Sequence, residues 1–349
     1  MSRGWKITLA LVAGLILLAL ALYGVDVGQV GRLIGGVEVI WLVAAGCVYV
    51  VAYFFRSLRW RLILKPVCAI SVSEGFSMLM AGYFLNYLIP IRAGEVAKSF
   101  FLKRLRGVPI ATSLPTVFLD KLLELLSIIL VVLMVPILSV KLSGPLATLI
   151  YVVLAIFGFA LVLLVIAVRD RERATRLLCR MFAWLPSRVY DRLASWFALF
   201  VEGMGVAREN VRSTWPLLGL TALAVTLDAF YFWCMFRAFS LTVAFPLVLF
   251  GYTLLSLSYI LPTPPAQIGY NEFVITLIFA GGLGLGREDV SAVMILAHVL
   301  TGLIITAVGF WSFGAMSLRV GESFRQVAGE RQARPVAEHG DGAPRAGEV

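Results

Sequence analysis

Apolar runs long enough to cross a lipid bilayer recur along this chain and constrain its fold more than any other feature. They cover residues 7–23, 39–55, 114–138, 146–168, 215–236 and 292–315, with shorter runs at 76–90, 245–261 and 273–285. Hydrocarbon roughly 30 Å thick takes about 20 residues of helix to cross. Backbone N–H and C=O groups find no water there, so a spanning segment must bond itself, as a helix does. The charged share of 14% is well below the quarter or so of soluble domains. The chain reads as an all-α polytopic integral membrane protein.

Two of the short runs end in abrupt breaks. Residues 76–90 stop at Pro90 and run into Arg92, Gly94, Glu95 and Lys98. Proline lacks an N–H and disfavours helix at the residue before it. A helix reopening near Gly94 presents free N–H groups and a positive dipole end beside Arg92, a site suited to phosphate or carboxylate. Glu95 in its first turn suits the same dipole. An ordinary cytoplasmic loop with its charges in water accounts for the motif as well. The second break follows the run 245–261, where Pro262, Pro264 and Pro265 precede Gly269 and Glu272. The flanks agree loosely: Ala-Tyr-Phe-Phe-Arg at 52–56 precedes the first break and Ala-Phe-Tyr-Phe-Trp at 229–233 the second.

Charges also fall inside the apolar runs. Asp120 and Glu124 share a helix face, and Lys121 stands three residues before Glu124, so a local ion pair is available. Each such charge costs roughly 2.5 to 3.5 kcal/mol near the bilayer centre and therefore faces protein or water. The alternative for Lys121 is snorkelling to one membrane face. Asp228 and His298 occupy later runs in the same way.

Basic residues set the expected topology. Arg56, Arg59, Arg61 and Lys65 read as cytoplasmic, with Trp60 in the interfacial belt. The first run is too long for a signal-peptide core and reads as an uncleaved span. The run 76–90 is too short to cross and is followed by more basic residues, so it reads as half of a re-entrant hairpin. Treating 245–285 likewise gives about six full spans plus two re-entrant helical hairpins entering from opposite sides, with both termini cytoplasmic. That is the pattern of an inverted repeat with a central substrate site. The expected domain is 1–318, with halves 1–168 and 215–318 joined by a basic linker, 169–214, and followed by a disordered basic tail, 319–349. The linker reads as amphipathic helices on the anionic inner leaflet or as a solvated connector.

Several functions are disfavoured. The net charge of +10 sits between apolar runs, where it sets topology and meets anionic lipid rather than nucleic acid. Cys47, Cys68, Cys179 and Cys234 lack the spacing of a zinc site or a disulfide framework. With no Ser-His-Asp arrangement, no H-E-x-x-H and no P-loop, neither metal nor cofactor is implied.

Three motifs carry a resemblance. Arg-Ser-Leu-Arg-Trp (56–60), Gly-Tyr-Phe-x-Asn-Tyr-x-x-Pro-x-Arg-x-Gly-Glu-x-x-Lys (82–98) and the proline-rich break ending Gly-x-x-Glu (269–272) resemble the lysylphosphatidylglycerol synthase transmembrane-region family, also called flippase-like. The similarity covers about residues 5–318. Where that family has Glu-Arg-x-x-Asp, this chain reads Asp120-Lys121-Leu122-Leu123-Glu124, and lysine cannot make arginine's forked contact. His298 stands where arginine is expected, which adds a titratable group.

The resemblance implies a lipid translocation module. In two-part members a soluble transferase domain makes the lipid and the membrane part moves it. This chain stops after its last run, so no transferase is expected. The expected activity is non-enzymatic translocation of a polar-headed lipid through a charged central cavity. Its expected substrate-binding set is Asn86, Arg92, Gly94, Glu95, Lys98, Asp120, Lys121, Glu124, Asp228, Gly269, Glu272 and His298. Arg92 would neutralise the headgroup phosphate, and the carboxylates would offset positive charge or relay protons. Membrane lipid is the expected partner, with a homo-oligomer or a biosynthetic complex left open. The alternatives are a membrane-embedded transferase on an isoprenoid-linked sugar, using Asp120 and Glu124, and an accessory subunit of a biosynthetic complex.

Overall fold

A computed structural model describes residues 3–88, 93–132, 214–259 and 263–333. Among these residues the protein is entirely helical. The elements are α1 (Arg3–Leu22), α2 (Val27–Gly35), α3 (Val39–Leu64), α4 (Val72–Leu88), α5 (Ala93–Arg106), α6 (Ile110–Val132), α7 (Thr214–Ala238), α8 (Phe245–Ser258), a 3-10 turn (Pro265–Gln267), α9 (Tyr270–Ile275) continuing as a π-helical segment (Thr276–Gly282), and α10 (Arg287–Ala333). The run 146–168, the linker 169–214 up to residue 213, Arg92 and the final 16 residues lie outside the described residues.

Three described helices are long and apolar enough to cross a membrane: Val39–Leu64, Trp215–Ala238 and Arg287–Met316. A fourth span results if Gly14–Leu22 and Val27–Gly35, bent by 86°, are counted together. The bend falls at Gly24, whose φ is 74°, and α2 restarts where Asp26 caps the Gln29 N–H at 3.0 Å. At 1.5 Å per residue the 14 residues of α8 reach about 21 Å, short of the roughly 30 Å of hydrocarbon.

α3 and α7 form the central pair and run antiparallel. The Glu38 N–H donates to Ala238 O at 2.9 Å, Arg59 reaches Thr221 at 3.4 Å, and Arg56 meets Asp228 between them. Alanines 45, 52, 224 and 229 are fully buried on these helices, and small residues of this kind let membrane helices approach closely. Each central helix leads into a helix, a break and a second helix: α4 and α5 after α3, α8 and α9 after α7.

The first break is held by contact as tight as backbone allows. A Cβ on Gly94 would stand 1.7 Å from Gly82 O, so α4 and α5 cross where neither has a side chain. Asn86 Oδ1 accepts the Gly94 N–H at 2.7 Å. The open end of this hairpin is tied by Arg106 to Glu74 at 2.7 Å, and Ser71 with Glu74 makes a reciprocal capping box at 2.9 and 3.2 Å. At the second break Gly269, with φ 76°, lies against α1, where a Cβ would come within 1.8 Å of Gly14 O.

Three expectations change. Arg56 and Arg59 are not cytoplasmic surface charges: α3 continues through them, and they are 7% and 0% exposed. Trp60 is 0% exposed and lies under the Lys98 ammonium, 5.5 Å from its ring centre, not in an interfacial belt. Carboxylates on α6 and α7 give the two guanidinium groups partners inside the protein, and Trp60 packs into an apolar cluster with Met78, Ala81 and Leu102. The last helix also runs to Ala333, past the expected start of the tail at 319.

Gly94→Ala should lower stability by about 1–3 kcal/mol, the usual cost of forcing atoms into a packed contact. Gly219→Ala, with nothing within 4 Å of the added Cβ, should be neutral or slightly stabilising. Unfolding of the detergent-solubilised variants measures both, and equal stabilities would contradict the close crossing.

Candidate functional site

Four cations and four carboxylates form one buried ionic network. On α3, Arg56 binds Asp228 of α7 through both guanidinium ends, with Nη1 to Oδ1 at 3.1 Å and Nη2 against Oδ2. Tyr252 of α8 donates its hydroxyl to the same Oδ2 at 2.7 Å. Arg56 Nε also lies 3.4 Å from Glu124 Oε1 on α6. One turn on, Arg59 spans two carboxylates of α6, with Nε to Asp120 at 2.8 Å and Nη2 to Glu124 at 2.8 Å. Lys98 of α5 lies 2.7 Å from Glu95 and 3.7 Å from Asp120. Lys121 closes the circuit at 3.1 Å from Glu95 and 2.8 Å from Glu124.

The local structure explains this convergence. Arg56 and Arg59 are three apart on α3, and Asp120 and Glu124 are four apart on α6, so each pair shares a helix face. Glu95 and Lys98 do the same on α5. Two short rows, one on α5 and one on α6, thereby meet one arginine row. Arginine's forked donors suit a position between two acceptors, which one ammonium cannot fill in the same way.

The network has two tiers. Arg59, Lys98 and Asp120 have side chains only 0%, 2% and 2% exposed, sealed behind the helices. Lys121, Glu95 and Glu124 are 30%, 19% and 16% exposed and look into a cavity of about 410 Å³. Seven tyrosines line this cavity, together with Arg56, Asp228, Asn86, Gln267, Asn271 and His298. Their phenol rings carry apolar surface and polar tips at once. Tyr49 donates to Tyr53 at 2.9 Å, and Tyr259 donates to Asn271 at 3.0 Å.

A second polar pair stands at the other break. His298 of α10 places Nδ1 against Glu272 Oε1 and Nε2 at 2.8 Å from Ala266 O. Glu272 lies behind His298 and does not itself line the cavity.

Of the twelve residues read from the sequence, Asn86, Glu95, Lys121, Glu124, Asp228 and His298 line the cavity. Lys98 and Asp120 sit in the sealed tier, Glu272 stands behind His298, and Gly94 and Gly269 are backbone crossing points. Gly94 offers less than a bare helix end, because Asn86 already takes its N–H. Arg92 lies outside the described residues. The sequence reading missed Arg56 and Arg59 as site residues; their spacing of three, which puts both on one face of α3, was the available signal. It also missed the cavity's tyrosines, which apolar runs conceal. Among the described residues no cluster of three or more His, Cys, Asp or Glu has the arrangement of a metal site.

Fold and site define an all-helical membrane protein with a neutralised ionic core beside a polar, tyrosine-lined cavity. The chain belongs to the family described as "Lysylphosphatidylglycerol synthase TM region", whose model matches residues 7–309. A curated relative, "Glycosyltransferase AglD" of Haloferax volcanii, is 23% identical over 91% of this chain, which spans 56% of that protein's length. No solved structure matches the chain.

Arg59→Lys should cost about 1–3 kcal/mol of stability, since one ammonium cannot satisfy both carboxylates and a buried acceptor is left unmet. Lys103→Ala, at an exposed position, should stay within about 0.5 kcal/mol of wild type. Denaturant midpoints in detergent measure both, and an Arg59→Lys protein as stable as wild type would contradict the bridging geometry.

Proposed function

We propose that this protein moves a polar-headed lipid across the cytoplasmic membrane without changing it chemically. The headgroup enters the cavity while the acyl chains remain in the bilayer. The observation that carries this reading is that both helix breaks, one from each half of the chain, face the same cavity: Asn86 and Glu95 from the first, Gln267 and Asn271 from the second. Irregular backbone at membrane depth is tolerated where it lines a wet cavity, and broken helices at a repeat interface are where transporters bind substrate. The antiparallel α3 and α7, each followed by a broken pair, support an inverted repeat with two re-entrant hairpins. Both termini are cytoplasmic in this reading.

Lys121 is the cation that meets the headgroup. It is the most open of the four, and its partners Glu95 and Glu124 are also partly open, so a phosphate can replace one carboxylate without exposing a sealed charge. Arg56 stands on the same cavity wall. The network carries four positive and four negative groups, which suits a headgroup that brings its own positive charge or none beyond its phosphate.

A second reading is favoured by the Haloferax volcanii relative, which is named as a glycosyltransferase: a membrane-embedded transferase acting on an isoprenoid-linked sugar. It needs a base and an acceptor in the cavity, and Asp120, sealed beneath Arg59 and Lys98, is poorly placed for either. Purified protein in vesicles separates the readings. Translocation moves a labelled phospholipid between leaflets with no new product, and Lys121→Met slows it about tenfold, equivalent to roughly 1.4 kcal/mol, while Lys121→Arg keeps most of the rate. A new glycosylated product establishes the transferase. Neither lipid movement nor product leaves an accessory subunit.

A further inference from the structure

The turn at the second break holds backbone that side-chain-bearing residues avoid. Ala266 and Gln267 lie at φ 52° and 59°. Such positions are strained and persist only where the surroundings hold them. The turn is held by the Gln267 N–H donating to Pro264 O at 2.9 Å, by Asn271 Nδ2 donating to Gln267 Oε1 at 2.9 Å, and by His298 Nε2 at 2.8 Å from Ala266 O. The last of these reaches across from α10.

Hydrogen counting makes that bond conditional on protonation. A carbonyl only accepts, so Nε2 carries a hydrogen. Nδ1 contacts Glu272 Oε1, and a hydrogen must lie there too, either on an imidazolium beside a carboxylate or on a carboxylic acid beside a neutral imidazole. In both cases the pair holds two protons and has no net charge. Remove one, and a single hydrogen remains for two contacts. If it stays on Nε2, the Nδ1 lone pair faces the carboxylate; if it moves to Nδ1, the Nε2 lone pair faces Ala266 O. One of the two contacts must break. Glu272 is 7% exposed, and its Oε2 has no hydrogen-bond partner among the described residues, so a carboxylate parted from His298 is a buried charge with little to hold it.

No described charged group around the pair substitutes for the lost proton. Tyr87 of α4 meets the imidazole edge-on, with ring centres 6.3 Å apart. α8 supplies Tyr259, α7 supplies Tyr231, and α10 itself adds Thr301. Against the turn α1 presents Gly14 and Leu18. The charged groups on the shared cavity, Arg56, Glu95, Lys121, Glu124 and Asp228, are committed to one another in the ionic network.

We propose that Glu272 and His298 form a proton-binding site whose occupancy decides whether the turn at 263–269 is held against the cavity, so that lipid movement is linked to protonation. Only the last clause rests on the translocation reading. Protonated, the pair clamps the turn; deprotonated, the remaining hydrogen is drawn to Nδ1 to hold the buried Glu272 carboxylate, Nε2 lets go of Ala266 O, and the turn relaxes from its left-handed conformation. His298 thus serves as a switch at a position facing the substrate cavity.

The chain has two histidines, so His339→Gln leaves His298 as the only imidazole. Nitrogen NMR of this variant, labelled with ¹⁵N-histidine and held in lipid nanodiscs, reads where the His298 hydrogens sit as pH changes. The same protein in vesicles gives the rate of labelled phospholipid movement. The expected result is one His298 transition with Nε2 hydrogen-bonded on its acid side. The lipid rate should change along the same curve, by about tenfold per pH unit on its steep side, as one proton requires. Glu272→Gln, whose amide donates to Nδ1 of the neutral imidazole and accepts from the imidazolium, keeps a hydrogen on Nε2 for Ala266 O at every pH and should abolish the pH dependence of the rate. A rate unchanged across the His298 transition, a Glu272→Gln profile matching wild type, or no transition between about pH 5 and 8, where histidine ordinarily titrates, overturns the proposal. A transition that Glu272→Gln removes, in protein that moves no lipid, upholds the proton site and overturns translocation instead.

Discussion

The contact between Arg56 and Asp228 joins residues 172 apart in the chain and fixes how the two central helices face each other. Two charges taken out of water are costly singly and tolerable only as a well-bonded pair. Asp228 therefore requires Arg56, and Tyr252 adds a further donor from α8. Because Arg56 also lies beside Glu124, the position of α6 depends on the same guanidinium. Arg59 repeats the arrangement one turn later, and through Asp120 and Glu95 the chain of partners extends to α5. The register of α3, α5, α6 and α7 is thus set by charge pairing, which apolar packing against lipid cannot do, since lipid tails are as apolar as leucine.

The division of this network into a sealed and an open tier connects structure to function. Sealed members fix geometry and have no route to a ligand. Open members face the cavity and trade partners at lower cost, because a partly wet charge retains some solvation. In the proposed translocation, a headgroup at Lys121 competes with Glu95 and Glu124 while Arg59 and Lys98 keep those helices in place. The second break works differently: its polar pair lies behind a single strained turn, and the histidine links that turn to α10.

How much of this was legible in the sequence depends on which physical signal each element leaves. Apolar runs gave the helices well: 39–55, 215–236 and 292–315 lie within α3, α7 and α10. Proline and glycine marked both breaks, and a helix opening near Gly94 is found starting at Ala93. The ion pair of Lys121 and Glu124 followed from spacing alone. By contrast, α2 was not seen, because nine residues with a short apolar face leave little periodicity. Arg56 and Arg59 were read as topology signals, since a basic run at the end of an apolar segment is ordinarily that. Only long-range partners, Asp228 and Glu124, distinguish a buried arginine from a surface one, and no local pattern encodes them. The cavity was equally hidden, because tyrosines that line it count as ordinary apolar residues in a membrane helix.

Arg56 and Asp228 meet directly and hold α3 and α7 in register, and exchanging the two side chains reads that contact out. Arg56→Asp and Asp228→Arg, made singly, each place like charges together in a buried site and should each destabilise the protein by several kcal/mol. Made together they restore an opposite pair, and the double variant should regain at least 1 kcal/mol over the sum of the single losses, as contacting residues do. Losses that simply add in folded, membrane-inserted protein would contradict the account.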